Sequence, residues 1–344
     1  MIESTIGKLV ERESLSVAEM HSAIEAIMQG DCTDAEIASF LTAMRMKGET
    51  VDEIVGAATV MRQHVTRIQT QRDDVLDTCG TGGDALSTFN ISTATALVAA
   101  GCGVPVAKHG NRGFSSKSGS AEVLQQLGVN IEVGVPIVER CIREVGVGFC
   151  YAPLLHPSMR HAVPVRLQLR FRTIFNLLGP LTNPAQAQHQ LVGVSRRDLV
   201  EKVADALSRL GTRHAFVVCG HDGLDEVTLT GPTFVAEVHD GTVRQHQWHP
   251  ADFDLPACRL EDLQVSSANE SGARVRGVLG GGTGPCRDVV IANAAAALLA
   301  AERVNNLRAG VQLAAEAIDS GKAHRVLQAL TELTQSVAKA TPRL

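Results

Sequence analysis

Val75-Leu76-Asp77-Thr78-Cys79-Gly80-Thr81-Gly82-Gly83-Asp84 decides the fold of this chain. A short apolar start runs into a glycine-rich turn, and a helical stretch follows over about residues 92–100. Strand, turn and helix in that order form the unit from which α/β sheets are assembled. The unit recurs downstream. Val104-Pro105-Val106-Ala107 reads as a strand, with a serine-rich loop and a helix over 121–127 after it. Residues 129–133 read as a strand, 136–145 as a helix and 147–151 as a strand. Further on, 199–210 reads as a helix and 214–219 as a strand. The alternation predicts an α/β domain with a mostly parallel central sheet. Residues 234–238 and 243–248, joined by Asp240-Gly241, read as an attached hairpin.

Upstream, the first 70 residues carry helical spacing only. Apolar residues recur in Met20-Ala23-Ile24-Ile27-Met28, in Ile37-Phe40-Leu41-Met44 and in Ile54-Val55-Ala58-Met61. Asp34 is a candidate cap for the second of these helices, and Gly48 marks its end. The expected organisation is a small all-helical domain over 1–70 and a larger α/β domain over 71–344. Residues 158–178 interrupt the alternation with helical spacing, which suits a return of 158–184 to the helical domain.

The chain has 344 residues, 44% of them apolar and 20% charged. At roughly 150 residues per domain that supports two packed domains. A net charge of −5, one Trp and one Tyr argue against a protein that coats nucleic acid. The eight cysteines include no C-x-x-C pair and most lie in apolar contexts, as expected for reduced thiols in the cytoplasm. Glu3, Lys8, Glu11 and Arg12 interrupt any apolar leader. The apolar run 289–301 is shorter than the ~20 residues a membrane span needs. A soluble cytoplasmic protein is expected.

Charge placement says more than charge total. Between Asp84 and Glu122 the only formal charges are Lys108, Arg112 and Lys117. Between Glu144 and Asp198 there is no acid, yet Arg160, Arg166, Arg170, Arg172, Arg196 and Arg197 all occur. Two acid-free basic windows in an acidic chain point to a small, highly charged anion, with clustered surface arginines as the alternative.

Three segments could hold such a ligand. Glycines in 80–83 let the backbone approach it, and Asn90-Ile91-Ser92-Thr93 opens a helix whose free N–H groups can face it. The spacing fits neither a Walker loop nor a dinucleotide fingerprint. Alone, such a turn serves structure as readily as binding. Lys108-His109-Gly110-Asn111-Arg112-Gly113-Phe114-Ser115-Ser116-Lys117-Ser118-Gly119-Ser120 also follows a strand and precedes a helix, and it is dense in phosphate donors. Two cradles at successive strand ends favour a ligand site. Third, Asp225-Glu226 follows the strand at 214–219. Adjacent carboxylates there suit magnesium, or form an exposed acidic turn.

Longer motifs identify a family. Gly80-Thr81-Gly82-Gly83-Asp84, Thr88-Phe89-Asn90-Ile91-Ser92-Thr93, Lys108-His109-Gly110-Asn111-Arg112, Arg172-Thr173-Ile174-Phe175-Asn176, Gly179-Pro180-Leu181-Thr182-Asn183-Pro184 and Asp222-Gly223-Leu224-Asp225-Glu226 resemble the anthranilate phosphoribosyltransferases. The resemblance runs in order from Met46-Lys47-Gly48-Glu49-Thr50 to Ala317-Ile318-Asp319-Ser320-Gly321-Lys322, nearly the whole chain. It implies a helical domain hinged to an α/β domain, usually in a homodimer formed through the helical domains. It implies that Gly80, Gly83, Asp84, Thr88, Asn90, Ile91, Ser92, Thr93, Lys108, His109, Gly110, Asn111, Arg112, Gly113, Phe114, Ser115, Ser116 and Ser120 hold phosphoribosyl pyrophosphate. Ser92, Asp225 and Glu226 would hold two magnesium ions. Asn111 and Arg166 would contact anthranilate, with Gly80, His109, His156, Gly179 and Pro180 lining its pocket.

The implied reaction joins a neutral aromatic amine to activated ribose phosphate. It needs no acid–base dyad, only positioning and charge stabilisation, with Lys108 in support. Two positions depart from the family pattern. Ala85 stands where a glycine commonly follows Gly-Gly-Asp, and Arg170 stands where a glycine usually precedes Arg172-Thr173. Without glycine, either the helix carrying Arg166 ends differently or Arg170 takes a strained positive φ. Helical spacing also predicts Arg170 on the same face as Arg166. The competing readings are a pyrimidine nucleoside phosphorylase of the same architecture and a catalytically silent relative that binds nucleic acid.

Overall fold

The structure, a computed structural model, describes residues 2–113 and 119–340, with side chains as far as Ser336. Phe114, Ser115 and Ser116 therefore lie outside the described residues. The chain opens with four helices: α1 (Ile2–Val10), α2 (Val17–Gln29), α3 (Asp34–Lys47) and α4 (Val51–His64). The last three each begin with a capping box, Ser16/Glu19, Thr33/Glu36 and Thr50/Glu53. Asp34 is not the cap of α3. Thr33 takes that position, its hydroxyl accepting the Glu36 N–H while Glu36 accepts the Thr33 N–H at 2.7 Å. Asp34 becomes the first helical residue, where its charge complements the helix dipole. Glu53 is fully buried and also accepts the Leu15 N–H at 2.8 Å and the Lys47 ammonium at 2.9 Å, which ties three segments together.

The remainder alternates as β1 (Leu76–Gly80), α5 (Ile91–Gly101), β2 (Val106–Gly110), α6 (Ser120–Gln126), α7 (Val135–Val145) and β3 (Val147–Tyr151). Three short helices follow, α8 (Ala152–Leu155), α9 (Val163–Leu169) and α10 (Phe175–Leu178). Then come β4 (His189–Gly193), α11 (Asp198–Arg209), β5 (His214–Gly220), β6 (Thr233–His239) and β7 (Thr242–Trp248). Helices α12 (Ala268–Leu279), α13 (Pro285–Ala300), α14 (Leu307–Asp319) and α15 (Lys322–Ala340) complete the chain. The strand order is β3-β2-β1-β4-β5-β6-β7, parallel from β3 to β5, with β6 and β7 antiparallel at one edge.

Both faces of the sheet are covered. Leu97 of α5, Ala296 of α13 and Leu327 of α15 share one cluster with Phe216 of β5. On the other face, Val203 and Leu207 of α11 join Val192 and Val217 of the sheet to Ile24, Phe40 and Ile54 of the helical bundle. Ala162, Val165, Ile174 and Leu178 belong to that second cluster too, so 158–184 packs on the bundle side. Arg62 of α4 fixes this contact, donating to the carbonyls of Leu181 at 2.7 Å and Leu210 at 2.8 Å.

Two strand expectations fail. Residues 129–133 are irregular, because their apolar alternation serves packing and not pairing. Val129 and Ile131 are buried in the first cluster, the Val129 N–H returns to Leu124, and the Asn130 N–H bonds Thr334 of α15. Central strand β4 was not expected, since it opens with polar His189 and Gln190. Both are buried, and their nitrogens meet the carbonyls of Ala300 and Pro180 at 2.7 Å each. No helix among the described residues is long and apolar enough to cross a membrane.

Candidate active site

The chain builds β1, β2 and β3 to one side and then β4 and β5 to the other. Strands β1 and β4 are neighbours, so the direction of growth reverses between them and a crevice opens beyond their carboxyl ends. A cleft of about 860 Å³ lies there. Its walls include the loops after β1 and β2, the acidic loop after β5, and residues 152–182.

Strand β1 ends at Gly80, and the loop returns to α5 at Asn90, whose side chain accepts the Thr93 N–H at 3.1 Å. The first turn of α5 thus points its remaining N–H groups into the cleft. Gly82 and Gly83 take positive φ, and a Cβ on Gly83 would collide with the Arg172 guanidinium. Arg172 donates to the carbonyls of Thr81 and Gly82, which clamps the loop. Sequence reading placed Arg172 in the family motif without giving it a role.

Asp225 fills the space beside this loop. Its carboxylate accepts the Gly82 N–H at 2.8 Å, a side chain at Gly80 would overlap that carboxylate, and one at Gly193 would overlap the Asp225 backbone. Glu226 is held through its neighbour, since Val227 exchanges hydrogen bonds with the fully buried amide of Asn293 on α13. Asn293 was missed in the sequence, where it sits unmarked within an alanine-rich run.

Burial raises the pKa of all three carboxyls in this corner, and repulsion adds to it for Asp84 and Glu226. Burial and then Asp225 push Asp84 up to about 7. Burial raises Asp225, and burial followed by Asp225 carries Glu226 well above its ordinary range. A hydrogen bond between Asp84 and Asp225 raises the pKa of the first and lowers that of the second. Crowded hard oxygens of this kind are stabilised by divalent cations such as magnesium, so the donor set fits that group. Lys108 is buried among them, its ammonium donating to the Thr78 carbonyl at 2.6 Å and to Ser92 Oγ at 3.2 Å. Burial lowers its pKa, against the pull of Asp77 and Glu226. Its positive charge therefore reaches the cradle partly through Ser92.

The opposite wall is less acidic. His109 Nδ1 lies 3.0 Å from the Gly179 carbonyl and so carries the proton there. Its Nε2 then accepts from His156 Nε2 at 3.1 Å. Burial lowers both pKa values, that of His156 to about 3, so the pair is neutral. Arg166 lies over the Phe175 ring at 5.4 Å, and burial drops its pKa to about 10. Among the described residues no acid forms an ion pair with it.

The cleft brings together Gly80, Gly83, Asp84, Thr88, Asn90, Ile91, Ser92, Lys108, His109, Gly110, Asn111, Arg112, Gly113, Ser120, His156, Arg166, Gly179, Pro180, Asp225 and Glu226. Thr93 is not on its wall, being fully buried behind the α5 turn. Arg170 is exposed and absent from the wall, so it does not share the working face of Arg166. It caps α9 with φ 54°, the strained alternative, and its N–H bonds the Arg166 carbonyl at 3.3 Å. Ala85 likewise has φ 58°.

A glycine-rich loop, a carboxylate corner and a helical lobe meet at one switch-point crevice, an arrangement that suits a transferase acting on a phosphorylated donor. The model of the glycosyl transferase family α/β domain matches residues 72–324, and that of the family's helical bundle domain matches residues 3–65. The anthranilate phosphoribosyltransferase of Geotalea uraniireducens is 51% identical, covering 97% of this chain and 99% of the relative. The crystal structure of the Thermus thermophilus enzyme of that name superposes with a TM-score of 0.90 at 39% identity, covering 96% and 99% of the two chains. The Saccharomyces cerevisiae enzyme in complex with phosphoribosyl pyrophosphate and magnesium gives 0.89 at 29% identity, covering 97% and 98%. The same yeast enzyme is known with 4-fluoroanthranilate. This chain belongs to the anthranilate phosphoribosyltransferase family.

Proposed function

We propose that the chain transfers the phosphoribosyl group of phosphoribosyl pyrophosphate to the amine of anthranilate, releasing pyrophosphate, a step of tryptophan biosynthesis. One observation carries the reading: a single cleft has a carboxylate-lined phosphate cradle on one wall and, on the other, Arg166 with no acidic partner among the described residues.

In this reading the glycine loop, the α5 N-terminus, Lys108 and the 108–120 loop hold the phosphates. Two magnesium ions at Ser92, Asp225 and Glu226 would neutralise charge on the departing pyrophosphate. Lys108 donates to Ser92 Oγ, and both side chains line the cleft. Arg166 pairs with the anthranilate carboxylate, and Asn111 sits between the two substrate positions. The neutral His109–His156 pair leaves no acid against the aromatic ring. Attack at the anomeric carbon needs no base, because the aromatic amine is neutral at pH 7. The bond to pyrophosphate breaks as the carbon–nitrogen bond forms, and the amine then loses a proton to solvent. What the protein supplies is orientation and preorganised charge.

We also read 158–184 as part of the helical domain with 1–70, against an α/β domain over 71–344. The assembly is a homodimer through the helical domains, and the enzyme is cytoplasmic. A pyrimidine nucleoside phosphorylase would need one phosphate site and no metal pair, which the carboxylate trio disfavours. The test is to offer the purified chain both reactions. It should consume anthranilate with phosphoribosyl pyrophosphate and magnesium, and it should leave pyrimidine nucleosides with phosphate untouched. Phosphorolysis without anthranilate consumption would reverse the assignment.

A further inference from the structure

Strand β5 begins at His214, at the end of the sheet away from the cleft, roughly 20 Å from its other end at strand spacing. His214 pairs directly with His239 of the antiparallel neighbour β6, and their rings stack with centroids 4.4 Å apart. Glu302, two residues beyond α13, reaches both: its Oε1 lies 3.8 Å from His214 Nδ1 and 3.6 Å from His239 Nε2. Within this trio, the three ligand atoms all fall within 4.8 Å of one another, and no other such group of His, Cys, Asp or Glu occurs among the described residues.

Two features set this cluster apart from an ordinary surface ion pair. First, His214 is only 5% exposed, yet its Nδ1 has no hydrogen-bond partner. Its other nitrogen, Nε2, lies 3.1 Å from Glu237 Oε1, and a carboxylate only accepts, so the proton sits on Nε2. Burial disfavours the imidazolium, which leaves Nδ1 with a bare lone pair aimed at the Glu302 oxygen. A lone pair facing a carboxylate oxygen at 3.8 Å is repulsive unless a cation lies between them. Second, two of the three ligands are already oriented from behind. Glu237 fixes the His214 tautomer, and Arg213 binds the far oxygen of Glu302 at 2.6 Å. A carboxylate behind a histidine is the usual outer support of a metal-bound imidazole.

We propose that His214 Nδ1, His239 Nε2 and Glu302 Oε1 form a site for one borderline divalent transition-metal ion, of the zinc or cobalt type, separate from the catalytic cleft. Ligand bonds of about 2.0–2.1 Å in tetrahedral geometry put donor atoms roughly 3.3–3.4 Å apart, so the distances of 3.6 and 3.8 Å to Glu302 require a small contraction. The exposed His239 ring must also rotate out of its stack on His214 to turn its Nε2 lone pair onto the ion. Water completes the coordination, since His239 and Glu302 are open to solvent. Two imidazoles and one carboxylate select against magnesium, which prefers oxygen donors. The ion would pin the β5–β6 edge to the end of α13 and act on stability, not on the reaction. His189, beside His214 on β4, does not belong to the trio: its Nδ1 bonds the Ala300 carbonyl at 2.7 Å, and its ring is not among the atoms that cluster with Glu302.

The test uses the untagged, metal-free full chain, titrated with Co2+ in excess Mg2+ so that the carboxylate cradle is saturated. The account expects one equivalent of Co2+ per chain with visible ligand-field bands, and a Zn2+-dependent rise in Tm of a few degrees. His239→Ala and Glu302→Gln, both at the surface, should each weaken Co2+ binding at least tenfold and abolish the Zn2+ effect on Tm. Transferase activity should stay at the unsubstituted level. Absence of Co2+ binding, bands unchanged in His239→Ala, or displacement of Co2+ by Mg2+ would each overturn the proposal.

Discussion

Gly80 and Asp225 compete for one volume: a Cβ on residue 80 would overlap the carboxylate that accepts the Gly82 N–H at 2.8 Å. The missing side chain is therefore what lets an acid stand at the end of β1. Gly80→Ala should displace Asp225 and lower kcat/KM by on the order of 10²-fold, with a matching loss of magnesium affinity. Steady-state kinetics across a magnesium titration read both. A variant with unchanged magnesium dependence would show that Asp225 works from another position.

Ala85 and Arg170 hold left-handed backbone at φ 58° and 54°, where glycine costs least. Such a conformation costs a side-chain residue about 1–2 kcal/mol, offset in part by the entropy glycine loses on folding. Ala85→Gly and Arg170→Gly should each raise stability by about 0.5–1 kcal/mol. Denaturant unfolding measures this, and a lower midpoint in both variants would contradict the strain argument.

Asp84, raised to about 7 by burial and Asp225, keeps its proton in the fold at pH values where the unfolded chain has lost it. The native state binds more protons between about pH 4 and 7, so this group's contribution to stability falls as pH rises through that window. In metal-free buffer, Asp84→Asn should therefore gain stability relative to the unsubstituted chain as pH climbs from 4 to 8. A stability difference independent of pH would show that Asp84 ionises normally.

Arg166 is half-buried against Phe175, with no acidic ion-pair partner among the described residues and a pKa lowered to about 10. A carboxylate ligand would relieve that burial. Arg166→Ala should raise the anthranilate KM far more than the phosphoribosyl pyrophosphate KM, by about 1.5–3 kcal/mol in kcat/KM. Movement of only the phosphoribosyl pyrophosphate KM would assign Arg166 to the other substrate.

Much of this was legible in the sequence because local signals agreed with global ones. Glycine turns after apolar strands placed β1 and the cradle, and Asp225-Glu226 appeared at a predicted strand end. What escaped reading depends on distant partners. Strand β4 begins with His189 and Gln190, polar residues that suit a central strand only because Ala300 and Pro180 offer carbonyls. Asn293 looks like filler until the Val227 backbone meets it. Residues 129–133 mimic a strand because α15, whose Thr334 lies 204 residues beyond Asn130, completes their packing. Arg170 followed the helical spacing yet left the working face, since a left-handed cap turns the chain there.

The central claim is transfer of phosphoribose to anthranilate through the Asp225–Glu226 corner. The direct measurement follows anthranilate fluorescence and pyrophosphate together, in the unsubstituted chain and in Asp225→Ala/Glu226→Ala. The account predicts one pyrophosphate released per anthranilate consumed, only with magnesium, and a rate loss on the order of 10²-fold or more in the double variant. Full turnover in excess EDTA, or an undiminished rate in the double variant, would contradict it.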